Sequence, residues 1–138
     1  MAMFLQVTTG LNQSPTIAQV ATTTKQETLS DEIDGLARIY NVNATVAKAI
    51  ISCESQNNPN ATRKNYNKEG RLWSEDHSYW QINDYYHQST MEKMGLDILN
   101  PLDNLKYGMY LLKTQGTTPW KASIKCWRDG DSKYGYTN

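Results

Sequence analysis

The chain has 138 residues, a single-domain length able to bury a core, and its 14 basic and 14 acidic residues leave no net charge. That balance argues against a nucleic-acid binder, and no apolar run approaches the length of a membrane span. Cys53, Cys126, His77 and His87 make a poor zinc set, so neither metal nor cofactor is expected.

In chain order, residues 1–28 are polar and threonine-rich with no sustained period, and they read as a tail or linker. The opening run MAMFLQVTTG lacks the basic start and apolar core of a signal peptide. A first helix is expected from Ser30, with Asp31 and Glu32 at its positive end and Ile33, Leu36, Ala37 and Tyr40 facing inward. The second opens on Asn43 as cap and breaks at Asn57, Asn58 and Pro59. Along it Ala47, Ile50 and Glu54 share one face, flanked by Val46 and Cys53. A carboxylate thus closes an apolar stripe, at the helix end that disfavours negative charge. Burial and that position both favour the protonated form, as a general acid near neutral pH requires. The plain alternative is a glutamate that points into water.

From Ala61 to Asn83 the texture becomes that of a small irregular β-hairpin, turning at Asn67 and Gly70, with scattered Leu72, Trp73, Tyr79, Trp80 and Ile82. Helix returns over Tyr85 to Met94 and stops at Gly95. Asn100-Pro101 starts another, with Leu102, Leu105, Met109 and Leu112 inward. Pro119 opens a last helix carrying Trp120, Ile124 and Trp127, and residues 129–138 read as a C-terminal tail. The expected fold class is α+β, mainly α, with one domain over residues 29–128 built of helices around the hairpin. Nine Tyr and four Trp stand against one Phe, a choice that suits half-wet clefts and the apolar faces of sugars as well as ordinary cores. If Cys53 and Cys126 pair, the loop they close contributes roughly 4 kcal/mol and implies an oxidising compartment. The other reading is two buried thiols.

Three motifs in order carry a family resemblance over roughly Leu36 to Trp127. Cys53-Glu54-Ser55 followed by Asn58-Pro59-Asn60-Ala61 resembles the E-S-x-x-x-P-x-A signature of the soluble lytic transglycosylases, lysozyme-like enzymes that cut bacterial peptidoglycan. Ser78-Tyr79-Trp80-Gln81-Ile82-Asn83 is similar to that family's S-x-G-L-M-Q-I-N box, and equally to the D-Y-G-I-x-Q-I-N run of animal-type lysozymes. Asn100-Pro101-Leu102-Asp103-Asn104-Leu105 with Gly108 and Tyr110-Leu111 resembles the D-P-x-x-N-I-x-x-G-x-x-Y-L helix. Trp80 replaces a methionine, and Ser78 or Tyr79 stands where the box has glycine. The late A-Y-N motif, whose tyrosine contacts the catalytic acid, is replaced by Ser123-Ile124-Lys125-Cys126-Trp127, where Trp127 or a nearby tyrosine is expected to serve.

The resemblance implies a lysozyme-like fold and a monomeric, extracytoplasmic enzyme acting on peptidoglycan glycan strands. Glu54 would be the acid that protonates the leaving oxygen. Ser55 and Gln81 would bind substrate N-acetyl or hydroxyl groups. Asn83 and His87 are cleft candidates, His87 equally a plain helix-surface residue, and Tyr79 and Trp80 are subsite walls unless one of them is core. Lytic transglycosylases need no second carboxylate, whereas lysozymes of the animal type place an aspartate five residues before the glutamine, here Asp76. The expectation is that Asp76 lies apart from the cleft and that the reaction is the transglycosylase one. A hydrolase using Asp76 and a silent glycan- or protein-binding relative are the alternatives.

Overall fold

A computed structural model describes residues 25–129 of the protein; the tail readings for 1–24 and 130–138 fall outside them. Helix α1 runs Leu29–Tyr40, one residue earlier than expected, because Thr28 belongs to the helix and not to the tail. Its hydroxyl accepts from the Asp31 amide while the Asp31 carboxylate accepts from the Thr28 amide, a reciprocal cap. Helix α2, Ala44–Ser55, is capped by Asn43, as its sequence announces, and turns off through Gln56 in the left-handed region. That cap is worth about 1 kcal/mol. Ala47, Ala49, Ile50 and Ile51 are all buried, so α2 is enclosed on most sides and forms the central spine.

Three antiparallel strands follow in the order β1 (Thr62–Tyr66), β2 (Leu72–His77) and β3 (Ile82–Asn83). The turn between the first two closes on Asn67, whose side chain accepts from the amides of Glu69 and Arg71. The register sets Arg63 opposite Asp76 and Asp76 opposite Asn83, one row across the whole sheet. Helix α3, Asp84–Lys93, is capped by Asn83, and α4, Pro101–Gln115, by Asn100 with proline in its first turn.

Two expectations about the later helices are corrected. Leu102 is exposed; the inward face of α4 is Leu105, Tyr107, Gly108, Met109, Leu111 and Leu112, with Asn104 wholly buried among them. The last helix is two pieces, a 3-10 helix over Thr118–Ser123 and α5 over Ile124–Trp127, because Trp120 leaves helical geometry to turn its ring into the core.

Asn104 is the bolt between helix and sheet. Its amide nitrogen donates to the His77 carbonyl and its oxygen accepts from the Trp80 amide. Both backbone groups are buried, where a missing partner would cost about 1–3 kcal/mol. Trp80 then lies across Gly108, where an added Cβ would sit 2.2 Å from the indole. Glycine is required there by the close approach, and Trp80 packs on Trp120 at a centroid distance of 4.6 Å.

Cys53 and Cys126 are bonded, joining α2 to α5, so the paired reading holds and the two-thiol reading does not.

Candidate active site

Glu54 sits on the last turn of α2, half-buried, with its carboxyl in a cavity of about 390 Å³. Arg63, Asp76 and Asn83 face the same cavity from the sheet, Gln81 from the loop before β3, and His87 from α3. The opposite wall is Trp120 and Ser123 of the 3-10 helix. A larger cavity of about 600 Å³ lies beside His77, Asp84, Glu92 and Asp103. Among the described residues no cluster there could hold a metal, and the family-like carboxylate is not in it, so size does not select the site.

Burial pushes the Glu54 carboxyl above the ordinary glutamate range. The hydrogen bond from Ser123 and the charge of Arg63 pull the other way, and the charge of Asp76 adds to the rise. The Ser123 hydroxyl donates to Glu54 Oε1 at 2.5 Å and has a second acceptor, the Trp120 carbonyl, at 3.1 Å.

Asp76 departs from expectation. It does not stand apart from the cleft but lines the cavity shared with Glu54, because the strand register carries it there. Its two oxygens are nevertheless taken. Arg63 places Nε at 2.9 Å and Nη2 at 2.7 Å from Oδ2. Asn83 and Asn65 donate their amides to Oδ1 at 2.7 and 3.2 Å. The carboxylate is buried and held on both edges.

Gln81 has a positive φ and uses its side-chain nitrogen to donate to the carbonyls of Ala61 and Ser78. Ser78, at the place of the missing glycine, takes the left-handed conformation that glycine would adopt freely, with φ of 60°. Its amide donates to Ala61, so the turn survives the substitution. Asn83 divides its side chain between capping α3 through its oxygen and holding Asp76 and Ser74 through its nitrogen. His87 Nδ1 lies 3.0 Å from the Tyr107 hydroxyl, and burial lowers its pKa.

Four expected contacts are elsewhere. Ser55 is buried with its hydroxyl donating to the Ile51 carbonyl, so it closes the helix end instead of reaching substrate. Trp80 is wholly buried and is core, not a subsite wall, since Asn104 and Gly108 draw it under α4. Tyr79 is half-buried against the core and is not among the residues that line the cavity. Trp127 does not replace the late tyrosine: it is buried and donates its indole N–H to the Trp120 carbonyl. The residue that touches Glu54 from this segment is Ser123, and only its position three residues before Cys126 in the replaced motif could have flagged it. Arg63 was also missed; its single signal is two-residue spacing on a strand from Asn65.

The model of the Transglycosylase SLT domain family matches residues 31–125, a stretch that holds every element of this cavity. No curated protein matches the chain.

Proposed function

The chain belongs to the Transglycosylase SLT domain family, and from that premise we propose that it is a peptidoglycan lytic transglycosylase in which Glu54 alone is acid and then base. The bond cut is the β-linkage from N-acetylmuramic acid to N-acetylglucosamine. The observation that carries the reading is the unequal surroundings of two carboxyls on one cavity. Glu54 is pushed toward its protonated form, while Asp76 has both oxygens engaged by Arg63, Asn65 and Asn83.

In the first step the Glu54 proton passes to the glycosidic oxygen, the carbon–oxygen bond breaks, and N-acetylglucosamine leaves with a free hydroxyl. Positive charge develops on the muramyl ring and Glu54 is left ionised. In the second step the muramyl hydroxymethyl group gives its proton to Glu54 and its oxygen closes on the anomeric carbon. The product is an anhydro sugar and no water is consumed. Ser123 suits both states, since a hydroxyl has one proton and two acceptor lone pairs. It donates to Glu54 when the carboxylate is charged, and can turn its proton to the Trp120 carbonyl and accept from Glu54 when the acid is protonated. His87, Gln81 and Asn83 are the polar wall against which the sugar's N-acetyl and hydroxyl groups are oriented.

A wall substrate supports a location outside the cytoplasm, and so does the disulfide, a bond that persists there. Among the described residues no helix is long and apolar enough to cross a membrane. The hydrolytic reading, with Asp76 assisting an attacking water, draws support from Asp76 lining the same cavity. Digestion of purified peptidoglycan, with product ends read by mass spectrometry, separates the two. Anhydro ends are expected. Reducing ends would transfer the assignment to a lysozyme, and intact glycan would remove both.

A further inference from the structure

Three aromatic side chains, one of them on the wall of the cavity, are far more exposed than a core permits: Trp73 is 41%, Tyr85 68% and Tyr86 64% exposed. They are not scattered. Trp73 on β2 meets Tyr85 and Tyr86 on the first turn of α3 at centroid distances of 5.1 and 5.9 Å, and the two tyrosines lie 5.1 Å apart. The interplanar angles, 69°, 84° and 90°, make every contact edge-to-face, so the rings brace one another while their outer faces stay open to solvent. Tyr86 also lines the cavity of Glu54, one residue before His87 and three after Asn83.

We propose that Trp73, Tyr85 and Tyr86 form an outer saccharide-binding platform that holds the glycan strand where it leaves the catalytic cavity. The inference rests on the proposed function for the identity of the strand. A polymer cut inside a cavity of about 390 Å³ must continue over the surface, and Tyr86 belongs to both places. The chemistry fits a sugar chain. Apolar ring faces receive the C–H faces of pyranose rings, and the tyrosine hydroxyls and indole N–H offer hydrogen bonds to the sugar's equatorial groups. Size argues against a protein partner. Three partly exposed rings offer roughly 400 Å² of accessible surface, about half of what each side of a stable protein interface buries.

The test is cosedimentation with purified, insoluble peptidoglycan sacculi, using full-length protein carrying Glu54→Gln so that binding is read without cleavage. Trp73→Ala and, separately, Tyr85→Ala should each weaken binding about tenfold, while Trp73→Phe, which keeps a ring, should bind nearly as well as the parent. Tyr85 is the most exposed of the three, so its truncation keeps the measurement interpretable if Trp73→Ala perturbs the hairpin. Binding by the parent that both truncations leave unchanged overturns the platform and leaves the proposed function standing. Binding by the parent that the truncations weaken, with no cleavage by the unmutated enzyme, keeps the platform and removes the catalytic reading. Failure of the parent to bind sacculi overturns the platform, while the proposed function falls only if the unmutated enzyme leaves glycan intact. A dimer of the parent, seen by sedimentation velocity and dissolved by Trp73→Ala, would reassign the rings to self-association.

Discussion

Ser123 and Glu54 are 69 residues apart in sequence and share a hydrogen bond in the cavity, the hydroxyl donating to the carboxylate. The Cys53–Cys126 bond lies three residues from the first and one from the second, so the covalent link ties together the two segments that meet at the acid. The consequences of this arrangement can be measured.

Replacing Glu54 by Gln should lower wall lysis by two to four decades, about the contribution of a positioned proton donor. The fold should not suffer. Because the folded pKa of Glu54 is raised, its contribution to stability is present below the ordinary glutamate value of 4.5 and is lost as pH climbs through the raised folded value. At pH 7 the Gln variant, which carries no buried charge, should melt at or above the temperature of the parent. Below pH 4.5 that difference should close. A variant that is folded and still active would take Glu54 out of the mechanism.

Ser123→Ala removes a donor that favours the charged form of Glu54, so the Glu54 pKa should move further up. The alkaline limb of the kcat profile, where the acid loses its proton, should shift to higher pH. The plateau rate should fall about tenfold, because Glu54 then loses both a positioning contact and a partner for its ionised state. A residue with a purely structural role would change the melting temperature and leave the profile where it was.

For Asp76→Asn the transglycosylase reading expects anhydro products at a rate within about tenfold of the parent, since an internal hydroxyl replaces water. Stability should fall by about 1–3 kcal/mol, because Arg63 loses its carboxylate and one amide–amide contact with Asn83 or Asn65 becomes unfavourable. Urea unfolding together with product analysis separates the two effects. A well-folded variant that is slowed by orders of magnitude would favour the hydrolase.

Reduction of the disulfide, or the Cys53→Ala, Cys126→Ala pair, opens a loop whose ends are 73 residues apart. Loop-closure entropy predicts a loss of roughly 4 kcal/mol. Activity in the cold, where the variant remains folded, should fall as well, because α5 no longer clamps the Ser123 segment to α2. Thiol titration of the unfolded, unreduced protein should find no reactive sulfhydryl in the parent.

Much of the scaffold was legible from local chemistry alone. Asn43 and Asn100-Pro101 announce helix starts, Asn67 and Gly70 announce the turn, and the spacing of Ala47, Ile50 and Glu54 puts a carboxylate at the end of a buried stripe. These features depend on residues within a few positions of one another, and periodicity or capping reports them directly. The three motifs likewise carried the family.

What the tertiary structure decided are the relations between segments far apart in the chain. Trp80 became core, not wall, because Gly108 on another helix leaves room for its ring and Asn104 holds its amide. Asp76 came to the cavity, already engaged, because strand pairing sets it between Arg63 and Asn83. Ser123 reached Glu54 because Trp120 breaks the last helix and the disulfide fixes where α5 lies. A serine or a tryptophan has the same local signature whether it faces solvent, core or substrate. Its role follows from which distant surface is packed against it, and that choice is made by the burial and hydrogen-bond satisfaction of the whole fold.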